Sequence, residues 1–425
     1  DQVNSGNTAI HGRLTKDIYL NGFVDDTANA WMMIGSEEHP FRGTFDGNGC
    51  AVQLLYAEIT DENEDVRYAG LFGVIDGGKV FDLQVGGKIL SGSGASLLIP
   101  EETRYDETYI GTGGVAGYLK SGEISGCTSL VRTAMDGEPM YRNAGGIAGI
   151  CSGSVTRCTF NGKISTDVRM AQNHVGGIAG LATGSDAVIR YCGNLGPVQG
   201  YFTVGGIAGS VRYGASVLNC YNYGTVSGVD TLGGIAGSIN QTGIYSDGSE
   251  KQSVIRNVYN LGDIEGIEGR NATGVGGIVG WMGYERWTEN ELPPRPVVEN
   301  AYSVCLYEPG ALWQRGAIVG ILKSGTLGNV YGLTGSGLDI YGERDEKNVS
   351  YSGTALMVTE QELKSADMIK NLGSAFIKTS IYDADTGGYP KLAFQEQTTD
   401  VAELVDEAVK ELNGWLSEEN QVKYG

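Results

Sequence analysis

Basic residues and histidine are scarce in this sequence, and each shortage removes a class of function. The 425 residues include 30 Lys and Arg against 51 Asp and Glu, a formal charge of −21 at pH 7. Nucleic acids and anionic lipid surfaces are gripped through a basic face, so neither is an expected partner. Only three histidines occur, His11, His39 and His174, far apart along the chain. That spacing argues against histidine-built metal sites and most His-dependent triads. No run of about eighteen apolar residues is present, so insertion into a membrane as a helix is not expected. His-Glu-x-x-His, Gly-x-Ser-x-Gly and Gly-x-x-x-x-Gly-Lys-[Ser/Thr] are all missing, and with them the simplest signatures of zinc peptidases, hydrolases and NTPases. The chain opens at Asp1 with neither Met nor a charged-then-apolar leader, which suggests the interior of a longer precursor. What is abundant is glycine, at 68 residues, within a composition that is 41% apolar and sufficient for a folded core.

The glycines are organised. A pentapeptide recurs as Ala69-Gly-Leu-Phe-Gly73, Gly113-Gly-Val-Ala-Gly117, Gly145-Gly-Ile-Ala-Gly149, Gly176-Gly-Ile-Ala-Gly180, Gly205-Gly-Ile-Ala-Gly209, Gly233-Gly-Ile-Ala-Gly237, Gly276-Gly-Ile-Val-Gly280 and Gly316-Ala-Ile-Val-Gly320. The basic period is about 30 residues, with three longer members, and marks stacked repeats rather than separate domains. A second element follows in step: Cys127, Cys158, Cys192, Cys220, Val258, Ala301 and Val330 share one position. An apolar residue stands three places earlier in every repeat, from Ile124 to Leu327. Apolar residues three apart cannot both point inward from a straight strand, whose period is two, unless the chain bends between them. Asn219, Asn257, Asn300 and Asn329 stand at that bend. Asn tolerates left-handed backbone, and stacked Asn side chains can hydrogen-bond along the stack. We therefore expect an asparagine ladder at a corner.

These patterns predict an all-β fold: a parallel β-solenoid (β-helix) with coils about 4.8 Å apart, right-handed as parallel crossovers are, in a rod of roughly 40–50 Å. The expected division is a solenoid over 1–335, with leading coils at 1–68 and repeat coils at 69–335. A small α-containing C-terminal cap segment follows at 336–397, and an amphipathic helix at 398–425 that packs on the rod, on another chain, or begins a further module. The cap expectation rests on Thr359-Glu-Gln-Glu362, a capping box. Leu363, Ala366, Ile369 and Leu372 follow at helical spacing before Gly373.

Gly-Gly-Ile-Ala-Gly followed by Asn219-Cys-Tyr-Asn222 resembles the GLUG-motif repeat family of bacterial cell-surface, adhesin-like proteins, over residues 41–335. Similar repeats lie beside the catalytic region of IgA-cleaving metallopeptidases. The resemblance implies an extracellular location, at a bacterial surface or secreted, and a role in adhesion.

Cys127, Cys158, Cys192 and Cys220 share their position with Val and Ala, so they are expected as stacked, inward, free thiols acting as small hydrophobes. The alternative is a disulfide between neighbouring coils, which the spacing nearly permits. No Cys-x₂-Cys pair exists, and neither a metal nor a cofactor is expected. Tyr221, Tyr259, Tyr302 and Tyr331 lie one residue further on and should form an outward row. They either stack on sugars or a partner or, more simply, shield the coil edge under a loop. Insertions are expected at 91–110, 241–253 and 281–297. The last carries Trp281, Tyr284, Arg286 and Trp287, with Trp313 one coil later. These side chains suit recognition of a protein or glycan, or else fold back on the rod. Asp61-Glu-Asn-Glu-Asp65 and Asp383-Ala-Asp385 lack a full calcium-loop pattern and read as turns. No catalytic residues stand out, because Asp and Glu concentrate in insertions and tail.

The sequence therefore points to a non-catalytic extracellular module that presents a rigid surface to a host or cell-surface protein or glycan. The alternatives are a carbohydrate-active β-helix enzyme (polysaccharide lyase or glycoside hydrolase), for which paired carboxylates would be needed, and a non-catalytic accessory region of a secreted peptidase.

Overall fold

A computed structural model describes residues 1–21, 30–59, 66–91, 110–135, 142–166, 173–240, 251–267, 272–283, 295–305, 312–345 and 348–396. The coil 142–166 shows how the repeat builds a rod. Its short strands Arg142–Gly145, Ala148–Cys151, Ser154–Thr156, Thr159–Phe160 and Lys163–Thr166 are divided by Gly-Gly, by small polar residues and by a bend at Arg157. Each pairs in parallel with its counterpart one coil later, as in Ala144 with Val175, Cys151 with Ala182 and Ile164 with Val198. The same register continues coil after coil into a single parallel sheet wound around one core. The fold is a β-solenoid.

Inward positions are filled by like on like. The central residue of the pentapeptide forms an unbroken buried column: Leu71, Val115, Ile147, Ile178, Ile207, Ile235, Ile278 and Ile318. Each such side chain contributes about 1.5–3 kcal/mol on burial. The flanking glycines are required by backbone approach: a Cβ on Gly145 would overlap the Ala148 carbonyl and the next coil at Ala179.

The bend is a column of left-handed residues. Asp82, Gly126, Arg157, Tyr191, Asn219, Asn257, Asn300 and Asn329 all have φ between 51° and 61°. The last four form the ladder. Asn257 Nδ2 donates to Asn219 Oδ1 (3.0 Å), Asn300 to Asn257 (3.0 Å) and Asn329 to Asn300 (3.2 Å). Arg157 and Tyr191 take the same conformation without belonging to residue types that favour it. There the stacking of the coil imposes the bend.

Two features of the C-terminal end differ from expectation. Parallel pairing does not stop near 335, because Asp339–Arg344, Val349–Tyr351 and Ala355–Val358 add to the preceding coil. This coil lacks the pentapeptide; Tyr341 takes the place that Val319 holds one coil earlier. The expected single helix is two: α1 (Glu360–Leu363), capped by Thr359 in a capping box, and α2 (Ala366–Leu372), capped by Ser365. The Ser365 Oγ accepts from the Met368 N–H and restarts the helix, so the buried face is Leu363, Met368 and Leu372 rather than one including Ala366. The segment 398–425 lies outside the described residues. Among those described, no helix is long and apolar enough to cross a membrane.

Candidate functional site

The tyrosine row is real, but it is not an open strip. Tyr221 pairs with Tyr259, Tyr259 with Tyr302 and Tyr302 with Tyr331 across successive coils. Ring centroids of the first two pairs are 5.7 and 5.2 Å apart, with planes within 14° and 2° of parallel. The C-terminal segment lies over them. Val358, Leu363, Met368, Leu372, Phe376 and Leu392 form a second apolar cluster with Tyr259, Tyr302 and Tyr331, all buried. The hydroxyls are engaged as well: Tyr259 donates to Gln395 Oε1 (2.9 Å), Tyr302 to the Pro390 carbonyl, and Tyr331 meets Thr354 Oγ1 (2.6 Å). Burial pushes the Tyr221 phenol up to about 12, and raises Tyr259 and Tyr302 well above the usual value. As sugar-stacking groups, Tyr259 and Tyr302 offer no ring face to solvent; only Tyr221 is partly exposed. A helix pair plus a short β-ribbon (Phe376–Ile377 with Lys391–Leu392) covers the flank of the rod, where a plug on its end was expected.

That segment is fastened electrostatically. Lys391, 8% exposed, lies 3.2 Å from Asp385, 3.3 Å from Glu396 and 3.6 Å from Asp383. Burial opposes its charge, but the hydrogen bonds it donates to Asp385 and Glu396 more than compensate and raise its pKa. Asp383 is held below the usual carboxylate range: burial works against it, and the Thr386 backbone and hydroxyl donors prevail. The Asp383-Ala-Asp385 stretch is thus a turn closed by its own side chain.

Of the recognition residues expected around the third insertion, Tyr284, Arg286 and Trp287 lie outside the described residues, as does the side chain of Trp313. The backbone of Trp313 belongs to the strand Leu312–Leu322. Trp281 sits outward beside Ser238 and Ile321 on adjacent coils, half-buried. Its indole N–H donates to the Gly283 carbonyl (3.1 Å), and the Lys323 ammonium stands 5.6 Å over its ring. The Asp61–Asp65 cluster lies outside the described residues.

The cysteines Cys127, Cys158, Cys192 and Cys220 are buried and unpaired by disulfides, and Cys158 N–H donates to Cys192 Sγ at 3.4 Å. A hydrogen bond to Cys158 and then burial raise the Cys127 thiol; burial first raises Cys158 and Cys192, and brings Cys151 up to about 12. None is poised as a nucleophile, which needs the thiolate. His174 is buried, bonded through Nδ1 to Thr203, and held well below its usual pKa by burial and then by Arg212. Among the described residues no group of three His, Cys, Asp or Glu is placed to hold a metal.

A second asparagine column, which sequence reasoning missed, runs through the interior. Asn194 Nδ2 donates to Asn222 Oδ1 and Asn222 to Asn260 Oδ1, both at 2.7 Å, and Asn260 reaches Ser303 Oγ at 3.4 Å. Each Oδ1 also accepts the N–H two residues on, at Gly196, Gly224 and Gly262. The amides lie against the second glycine of the pentapeptide, where a Cβ on Gly177, Gly206 or Gly234 would overlap them. The available signal was Asn-x-Gly repeated at 194, 222 and 260, in step with Gly-Gly.

Variable connections leave from a common edge. Segments 60–67, 92–109, 136–141, 167–172, 200–202, 229–230 and 267–271 all join strands that are paired coil to coil on both sides. Segments 240–253 and 283–296 join paired strands at another edge. Two recesses open on the outer surface. One of about 340 Å³ is lined by Trp31, Met32, Glu37, Glu58, Arg67 and Tyr68 among others, with the Trp31 indole donating to the Leu71 carbonyl at 2.9 Å. The other, of about 450 Å³, is lined by Lys88, Arg132 and Lys163 together with Gln53, Leu54 and Ser165 among others.

No protein-family model matches the chain. Ninety residues, 21% of this chain, are 34% identical to a protein of Evansella cellulosilytica named as a candidate Gly-rich membrane protein, and they span a tenth of that relative's length. A crystal structure from Bacteroides ovatus, named as a candidate immunoglobulin A1 protease, is similar at 18% identity and a TM-score of 0.42, with 92% of this chain and 90% of that one covered.

Proposed function

We propose that this chain is a non-catalytic, extracellular rod of a GLUG-like bacterial surface protein, and that it presents a binding surface to a host protein or glycan. The observation that carries the reading is the division of labour within each coil. Core, corner and pentapeptide positions repeat with little change, whereas the connections along one edge vary from two residues (229–230) to eighteen (92–109). A scaffold that keeps its interior constant and varies its edges is built to display, since binding residues concentrate on loops held by a rigid frame. The local likeness to a Gly-rich membrane protein accords with a cell-surface location. The test is an array of glycans and extracellular-matrix proteins probed with the intact chain, run beside a reducing-sugar release assay on the glycans bound. Binding without turnover is expected; turnover would replace this reading with a carbohydrate-active enzyme.

A further inference from the structure

We propose that the recess holding Trp31, Glu37, Glu58 and Arg67 binds a neutral sugar, taken as one or two pyranose units of a glycan. The proposal deepens the binding-rod reading above and rests on it.

The lining of this recess is fixed before any ligand arrives. The Trp31 N–H donates to the Tyr56 carbonyl (2.7 Å) and the Ile34 N–H to the Leu71 carbonyl (3.1 Å), which ties residues 31–34 to the coils beside them. Asn4 ties the same stretch from the other direction: it donates to the Met33 carbonyl (2.9 Å) and accepts the Gly35 N–H (2.8 Å). Tyr68 is buried, with its ring 5.3 Å from that of Tyr118. Gly35 and Gly73 line the recess with bare backbone. A Cβ on Gly73 would overlap the Gly35 carbonyl, and one on Gly35 (φ 82°) the Val74 carbonyl. The volume of about 340 Å³ falls within the roughly 300–1,000 Å³ usual for small-ligand sites.

Its chemistry is mixed in a particular way. The half-buried Trp31 spends its indole N–H on the Leu71 carbonyl (2.9 Å), so what it offers a ligand is the apolar ring. Beside it Met32 is 67% exposed. Arg67 and Glu37 form an ion pair and both remain partly exposed. Glu58 accepts the Tyr56 hydroxyl (2.9 Å), and a carboxylate has acceptor sites beyond one bond. An aromatic ring next to fixed acceptors and a forked donor is what a pyranose needs: its C–H face lies on the indole, and its hydroxyls meet carboxylate and guanidinium.

The charges select against other ligands. An acidic sugar would face Glu37, Glu58 and a chain of net charge −21. An ammonium group would face Arg67, and Tyr68 packs against Tyr118 instead of closing an aromatic cage around Trp31. A purely apolar group would take the carboxylates and guanidinium out of water without replacing their hydrogen bonds. Sugar hydroxyls both donate and accept, so they satisfy both signs at once.

The test is calorimetry on the intact chain with four neutral disaccharides (maltose, cellobiose, lactose and diacetylchitobiose), a galacturonate dimer and choline. At least one neutral disaccharide should bind, and more tightly than either charged probe. Trp31→Ala should weaken that binding by about tenfold or more. Because Trp31→Ala also removes a bond to Leu71, Glu37→Gln serves as the second variant. Exposed ion pairs add little stability, so Glu37→Gln should keep the thermal midpoint and still lose about tenfold in binding. Glu265→Gln, on a distant coil, should change neither. If a disaccharide binds and both recess variants leave it intact, the site is wrong and the binding rod stands. Failure of all four disaccharides, or tighter binding of choline or the galacturonate dimer, overturns the proposal. The rod reading falls with it only if the wider array of glycans and matrix proteins is also blank.

Discussion

The two asparagine columns do different jobs, and substitution should separate them. At the corner, Asn257 is half-buried with φ 55° and holds one rung on either side. Glycine adopts that backbone freely, so Asn257→Gly should lose only the rungs, about 1 kcal/mol. Inside, Asn222 is fully buried and takes part in four hydrogen bonds, to Asn194, Asn260 and Gly224. Asn222→Ala strands the donors of Asn194 and Gly224 in the core and should cost about 3 kcal/mol. Thermal unfolding of the two variants checks the order; an equal loss would mean that the interior column is not buried as described. Thiol reactivity offers a second check. Cys50 is half-buried while the other six cysteines are buried, so native protein should react with a thiol reagent at about one site and denatured, unreduced protein at seven. At this scale the sequence was readable where residue type and position agreed, as at Asn219 and Asn257. It was silent at Arg157 and Tyr191, whose left-handed backbone is imposed by the coils above and below.

At the scale of elements, the segment from Glu360 to Glu396 is the part whose existence could be read and whose place could not. The Thr359 capping box announces a helix. Nothing local says that Leu363, Met368 and Leu372 will settle on tyrosines up to about 110 residues earlier rather than on the rod's end. The link is chemical complementarity, a row of Tyr rings and a short apolar helix face, which no periodicity reveals. The attachment should respond to pH at both extremes. Asp383, with its pKa below the unfolded value, contributes stability above the ordinary carboxylate range that is lost as pH falls through its folded value. Tyr259 and Tyr302, raised well above 10, contribute stability that is complete below the ordinary phenol value and is lost as pH rises through their folded values. Intrinsic tyrosine fluorescence should therefore hold steady near neutrality and change below about pH 4, whereas above about pH 10 fluorescence and phenolate absorbance should change together. Phenolate absorbance for all tyrosines at an ordinary pKa would show the row to be uncovered.

On the scale of the whole molecule, the rod was the most legible feature, because about eight near-copies of one coil carry the same message. A one-residue slip would turn every inward side chain outward. The eight copies agree on register, and the observed pairing of Cys220 with Val258 and of Val258 with Ala301 follows that agreement. Less legible was the distribution of charge around the rod, since a count of acids says nothing of which column a cation occupies. With a net charge of −21 the folded chain repels itself. Raising salt from about 10 mM to about 150 mM shortens the screening length from about 30 Å to about 8 Å, and the thermal midpoint should rise; a fall would show that ion pairs outweigh the repulsion.

The flank cover also has a mechanical meaning. Phe394 touches Tyr191 and Tyr221 with ring centroids 5.2 and 6.2 Å apart, while Phe376 and Val358 sit on Tyr302 and its neighbours. One strap thus grips successive turns from the side. A molecule tugged by its two ends peels turn by turn unless something ties the turns together. Here the later turns are lashed into one block, and the earlier ones, without the strap, form the stretch that yields first under load.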